Sequence, residues 1–403
     1  MTTANIACFD RCATDSPHAS FPEVVKLYIH VPFCRSKCAY CDFYSGGLKH
    51  LAPEWLDAVG REWLELGAGR VPDTIYIGGG TPSVLEPEQL RKLIGFFPTD
   101  RLREFTIEAN PEDVTPEWAA MIAASTPVDR VSMGIQTFNN DALRFLGRRH
   151  TAERAVEAVG TLRDAGISNI SCDLIYGLPG QSLDEWTDNV RRLLDLRPEH
   201  ISAYLLSYEP RTRLGLMLSR GQVSEVTDTL AEEMYGRLCE LIRAAGYEHY
   251  EISNFALPGR RAVHNSSYWD GSDYIGLGPG AHSMVAGQRW SNPADLRGYV
   301  RSIPGKFREL EDESEASRFN DVIITSLRTS SGLSTERVPG RFATRFIRDA
   351  ITLIERGDLH VVGADNTAGL TADAILSHPV TLTIPEERWL VADSILLRLI
   401  EEV

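Results

Sequence analysis

From Val24 onward, short apolar runs rich in β-branched residues alternate with longer stretches in which apolar positions return at helical spacing. The strand-like runs fall at residues 25–31, 74–77, 104–109, 130–136, 170–175 and 201–206, and segments such as PEWLDAVGREWLELG and SLDEWTDNVRRLLDL between them carry the helical period. About six repeated β-α units predict an α/β fold with a parallel sheet, a partial TIM-like barrel whose polar and glycine-rich strand ends gather at one mouth. A long helical stretch, TDTLAEEMYGRLCELIRAAG, and a strand-like YEHYEIS follow. The expected divisions are a flexible tail at 1–23, the barrel at 24–256, an irregular connecting segment rich in Gly, Asn and aromatics at 257–308, and a small, mostly helical C-terminal domain at 309–403.

Composition narrows the function classes. With 43% hydrophobic and 24% charged residues the 403-residue chain reads as globular, and a net charge of -15 argues against nucleic-acid backbone binding, which needs clustered Lys and Arg. The N-terminal MTTANIACFDRCATDS lacks a signal peptide's basic start and apolar centre, and no run is long enough to span a membrane, so a cytoplasmic location is expected. Seven cysteines, three of them within eight positions, fit metal ligation better than a disulfide framework. Cys8 and Cys12 also have ligand-like spacing but lie in the unpatterned tail, where free thiols are the plainer reading.

The three crowded cysteines, Cys34, Cys38 and Cys41, follow the first strand in YIHVPFCRSKCAYCDF. Three thiolates are one short of a closed zinc site, whereas a four-iron cluster on three cysteines keeps one iron open to a ligand; zinc and plain buried cysteines remain the alternatives. Gly78, Gly79, Gly80, Thr81 and Pro82 end the second strand, where glycines permit close backbone approach or simply a tight turn. Glu108 and Gln136 end the third and fourth strands and Asp173 lies in the fifth; all three would point into the same mouth, although each alone could be a satisfied structural residue. Arg148 suits a ligand carboxylate.

The C-x3-C-x2-C motif, with Tyr40 before its last cysteine, resembles the radical S-adenosylmethionine superfamily. The resemblance implies that Cys34, Cys38 and Cys41 hold a 4Fe-4S cluster, that S-adenosylmethionine chelates its open iron, and that one electron splits the sulfonium to a 5'-deoxyadenosyl radical. The segments YIHVPFC, GGGTP, MGIQ and DLIYGLPGQ are similar to those of the branch containing coproporphyrinogen III dehydrogenase (HemN) and the HemW heme chaperones. That likeness implies Tyr28, Tyr40, Gly79, Gly80, Thr81, Glu108, Gln136, Arg148 and Asp173 as cofactor contacts.

Phe43 stands where the dehydrogenases carry a further cysteine, and few residues precede the first strand, so the chain looks like the heme-chaperone side, with HNSSYW and His264 implied in heme binding. Imidazole is a common axial ligand of heme iron, and the nearby aromatics Tyr268 and Trp269 could flank a porphyrin; an arbitrary histidine among aromatics is more often a hydrogen-bonded core residue. His282, in GLGPGAHS, is a weaker candidate. The implied partners are heme, heme-accepting proteins with respiratory ones among them, and an electron donor for the cluster. Membrane contact would be transient at most. Oxidative decarboxylation of coproporphyrinogen III is the alternative, and radical chemistry on another substrate a third, since cofactor motifs do not specify the substrate.

Overall fold

The computed structural model describes residues 24–303, 306–311, 314–364 and 371–402, so Cys8 and Cys12 lie outside the described residues. Strands β1 (Val24–Val31), β2 (Val71–Gly79), β3 (Glu104–Ala109), β4 (Arg130–Gln136), β5 (Asn169–Tyr176) and β6 (His200–Leu205) pair in parallel in sequence order. All six expected runs are strands, and β2 extends beyond its apolar centre into the glycine triplet. Helices including Ala52–Leu66, Ala152–Asp164 and Leu183–Asp195 lie between them in sequence, as crossover connections of parallel strands require.

Side chains alternate across this sheet. Leu27, Ile29, Ile75, Ile77, Phe105, Ile107, Val131, Met133 and Cys172 pack in the main apolar core, whereas Tyr76, Glu108, Arg130, Ser132, Asp173 and Ser202 line a cavity. The register brings the polar set together: Tyr76 faces Thr106, Thr106 faces Arg130, Glu108 faces Ser132, and Asp173 lies between Gly134 and Ser202. Because the side-chain period of a strand is two, a one-residue slip in any of these pairings would send the polar row into the apolar layer.

The sheet continues past the six strands. Beyond β6, β7 (Glu248–Glu251) and β8 (Asn254–Ala256) add antiparallel edges, with β8 against β6. On the other side, β9 (Tyr274–Leu277) lies parallel to β1, followed by antiparallel β10 (His282–Val285), β11 (Gln288–Ser291) and β12 (Glu309–Leu310), giving a twelve-stranded sheet among the described residues. The segment expected to be irregular therefore carries strands and the helix Val263–Asp270. Strands of four residues near glycines are too short to establish a period in sequence.

The C-terminal part contains the helices Glu315–Leu327 and Gly340–Glu355 and, beyond the expected helices, a small sheet of β13 (Leu333–Ser334), β14 (His360–Val361) and β15 (Thr381–Thr383), with β15 central. Its apolar residues join the barrel's in one continuous core.

Candidate cofactor cavity at the strand ends

The cysteine loop is held by backbone, not by its thiols. Where β1 ends, the Cys34 N–H donates to Gly46 O (3.2 Å) and the Gly46 N–H to Pro32 O (2.9 Å), closing the loop on itself. Farther along, the Ala39 N–H donates to Leu146 O (2.8 Å) and the Leu214 N–H to Ala39 O (2.8 Å). Ala39 belongs to a small apolar base with Leu146, Ile175, Leu178 and Leu206, against which Tyr40 packs. The Arg35 Nε donates to Asp113 Oδ1 (3.1 Å), and Ser83 Oγ donates to the other carboxylate oxygen (2.9 Å), tying the loop to the turns after β2 and β3.

All three thiols are free, half-buried and on the wall of one cavity of about 510 Å³. A relay of donors ends on two of them. Arg148 Nη2 donates to Asn110 Oδ1 (2.7 Å) and Gly134 O (2.8 Å), and its Nη1 to Cys38 Sγ (3.5 Å). Asn110 Nδ2 donates to Thr81 Oγ1 (3.3 Å), whose hydroxyl donates to Cys34 Sγ (3.4 Å). Donors directed at cluster-ligating sulfur tune the potential of a bound cluster. At Cys41, burial, with the Cys38 and Cys34 sulfurs adding to it, pushes the thiol up to about 11 against a backbone hydrogen bond from Phe43. Metal ligation there must displace a proton.

The glycine triplet is demanded by the protein's own packing. Gly79 has φ of +100°, and a Cβ there would collide with the His30 ring. At Gly80 a Cβ would lie 2.6 Å from the carbonyl oxygens of Val31 and Phe33, because the Gly80 and Thr81 N–H groups donate to those carbonyls (2.8 Å each). The triplet thus stitches β2 to the start of the cysteine loop. Gly79→Ala is expected to destabilise the chain by roughly 2–3 kcal/mol, from the unfavourable φ plus the clash, and the lowered midpoint of a urea unfolding curve measures it.

Two buried carboxyl groups face the cavity. Glu108 accepts from Tyr76 Oη (2.8 Å) and the Gly79 N–H (3.1 Å), yet burial outweighs these bonds and pushes its pKa up to about 7. Burial likewise raises Asp173 to about 6, against hydrogen bonding from Ser202 and the charges of Arg130 and Arg148. Arg130 is 1% exposed. Among the described residues, the Nε atoms of Arg130 and Arg148 are buried without a hydrogen-bond partner. Gln136, at the bulge that ends β4, holds φ of 69°, a conformation costly for a side chain of this kind and of the sort that gathers at ligand sites. Carboxyls reluctant to ionise and guanidinium N–H groups left unmatched leave this wall incomplete, and a zwitterionic, cationic ligand such as S-adenosylmethionine supplies both missing kinds of partner.

The expected site residues Tyr40, Gly79, Gly80, Thr81, Glu108, Gln136, Arg148 and Asp173 share this wall with the cysteines. Tyr28 and His264 do not. Tyr28 Oη lies 3.0 Å from His30 Nδ1, with its ring beside that of Tyr76. His264 is 1% exposed and stacks on Tyr76, with Nδ1 2.9 Å from Thr74 Oγ1 and Nε2 2.9 Å from Tyr268 Oη. Both ring nitrogens are engaged in this conformation, and burial pushes the imidazole down to about 3, keeping it neutral. Its neighbour Asn265 reaches the cavity instead. The other weak candidate, His282, is exposed beside Glu311. Sequence reasoning missed Tyr76, Asn110, Arg130 and Ser202. The alternation R-V-S-M-G-I-Q in β4 carried a signal for Arg130, since every second residue shares the face of Gly134.

Comparisons with known proteins bear on the family and the fold. The model of the Radical SAM superfamily matches residues 28–193. The heme chaperone HemW of Lactococcus lactis is 36% identical over 325 residues, covering 79% of this chain and 85% of the relative. The heme chaperone HemW of Escherichia coli is 35% identical over 308 residues, covering 73% and 79%. Among solved structures, the coproporphyrinogen III oxidase HemN from Escherichia coli superposes with a TM-score of 0.76 at 20% identity over 94% of this chain and 91% of that one, a likeness of fold. With its cysteine loop, glycine triplet and polar strand ends in the places described, and with such identity over most of its length, the chain belongs to the HemW heme chaperone family of the radical SAM superfamily.

Proposed function

We propose that this protein binds heme and passes it to an acceptor protein, and that its barrel mouth holds a 4Fe-4S cluster on Cys34, Cys38 and Cys41 with S-adenosylmethionine beside it. The observation that carries the delivery reading is identity of 35–36% with heme chaperones along most of both chains; the likeness to the oxidase, at 20%, speaks to fold. When bound, the cluster supplies the electron that a sulfonium centre needs for reductive cleavage. The chain's own part is to bind and orient. Arg148 and Thr81 direct donors at the sulfurs, Glu108 and Asp173 offer carboxylates to a ligand's cationic groups, and Arg130 and Arg148 offer guanidinium N–H groups to its carboxylate.

Heme ligation by His264 then requires the ring to leave Thr74 and Tyr268. Because the imidazole is neutral, its release is opposed by two hydrogen bonds and the stacking on Tyr76 rather than by a proton. Heme binding and local opening of the helix Val263–Asp270 are thus one equilibrium, and a mutation that loosens the ring raises apparent affinity.

A heme titration followed at the Soret band tests both parts. The wild-type chain is expected to saturate near about one heme per chain. His264→Ala should weaken binding by at least about tenfold, and Tyr268→Phe, which removes one restraint of about 1 kcal/mol, should leave binding unchanged or strengthen it up to about fivefold. Unchanged affinity in His264→Ala would place the iron ligand elsewhere, loss of affinity in Tyr268→Phe would remove the opening step, and absence of saturable binding in the wild type would end the heme reading. Among the described residues no helix is long and apolar enough to cross a membrane.

A further inference from the structure

Away from the cavity, three metal-ligating side chains from distant parts of the chain converge where the barrel meets the C-terminal region. Cys239 projects from the helix Asp228–Ala244, His249 from β7, and Glu386 opens the short helix Glu386–Val391. One ligand atom from each lies within 4.8 Å of the others. His249 Nδ1 is 2.8 Å from Glu386 Oε1 and 3.9 Å from Cys239 Sγ. The imidazole is fixed by stacking on Phe255 (4.1 Å) and by the edge of Trp389 (4.3 Å), and its side chain is only 6% exposed.

The ring is also oriented as a ligand would need. His249 Nε2 lies 3.2 Å from Ile252 O, a carbonyl that can only accept, so Nε2 carries hydrogen. Nδ1 faces Glu386 Oε1 at hydrogen-bond distance, a pair that a proton on Nδ1 satisfies and that a divalent cation bound to both groups would take over by displacing that proton. A backbone carbonyl on the far nitrogen is also the partner that metal-bound imidazoles ordinarily have, since it fixes the tautomer and the ring plane.

We propose that Cys239, His249 and Glu386 bind a zinc-class divalent cation through Sγ, Nδ1 and a carboxylate oxygen, with water in the fourth position. The mixed sulfur, nitrogen and oxygen set suits zinc better than calcium or magnesium, which take oxygen ligands. Arg243, on the same helix as Cys239 and 65% exposed in its side chain, holds Glu386 Oε1 at 2.8 Å. On metal binding it keeps the carboxylate from the solvent side. The site is separate from the loop cysteines and joins a barrel helix, a sheet edge and the C-terminal region, so its role is to clamp the two parts together.

The test uses the full-length chain with its iron-sulfur cluster reconstituted, equilibrated with zinc, freed of excess metal and analysed for both elements. About one zinc per chain is expected in addition to about four irons. Cys239→Ala and His249→Asn should each bring zinc close to zero with iron unchanged, the iron showing that the fold survives. Zinc retained in Cys239→Ala, or no zinc in the wild type, would overturn the proposal. Should Cys239→Ala fail to hold iron, the zinc K-edge spectrum of the wild type decides: a single sulfur scatterer with lighter neighbours supports the site, and any other number of sulfurs overturns it.

Discussion

Replacing Cys38 by Ala is expected to take the anaerobically reconstituted chain from about four irons and four sulfides to near zero, with the far-ultraviolet circular dichroism almost unchanged. The effect is all-or-none because a cluster with three protein ligands has no spare one. Fold survives because the loop stands on backbone bonds to Leu146 and Gly46 and on the apolar base under Ala39, none of which involves the Cys38 sulfur. Arg148 also remains anchored after the substitution, through Asn110 and Gly134 O. Iron retained at wild-type level by Cys38→Ala would end the assignment of this loop to the cluster, and zinc as the only metal in the wild-type loop would replace it.

Glu108 gives the second large effect, and its sign follows from burial. In the ligand-free protein its carboxyl is raised to about 7 from 4.5, so between those values the folded chain holds a proton that the unfolded chain has lost. Stability is therefore greatest below about pH 4.5 as far as this group is concerned, and declines as pH rises toward 7, by roughly 3 kcal/mol in all. Binding of a cationic ligand runs the other way. The carboxyl must be ionised to pair with the ligand, so affinity for S-adenosylmethionine should rise up to about tenfold between about pH 6 and 8. Glu108→Gln should flatten both profiles and weaken the ligand about 30-fold at about pH 8, by loss of a charged hydrogen bond of about 2 kcal/mol. Calorimetric titration of the cluster-loaded protein at several pH values measures the affinities, and a pH-independent wild-type affinity would remove Glu108 from the ligand's charged contacts.

Some of this site was legible in the sequence because it is local. The spacing of Cys34, Cys38 and Cys41 places three thiols in one turn of chain whatever surrounds them, and GGGTP marks a backbone with no room for Cβ atoms. The reason for the glycines was not legible. They answer to the His30 ring and to the carbonyls of Val31 and Phe33 on the neighbouring strand and the loop after it, contacts that exist only once β1 and β2 are in register.

Contiguous pattern was enough for the six parallel strands and their helices, since hydrophobic periods of two and of 3.6 are properties of neighbouring residues, and enough for the three thiols of the loop. Which distant polar groups meet was left to register and packing. Strand register set Glu108, Arg130 and Asp173 on one face of the sheet, and the turn after the helix Asn140–Leu146 brought Arg148 to Cys38 across 110 positions. Packing against β2 closed His264 between Thr74 and Tyr268, the hydrogen-bonded placement that a histidine among aromatics most often has, where the family resemblance had implied heme binding. His249 and Glu386, which meet beside Cys239, stand 137 positions apart and have no spacing to read. Such contacts depend on pairing and packing between elements, which a local pattern constrains only through the face it makes apolar.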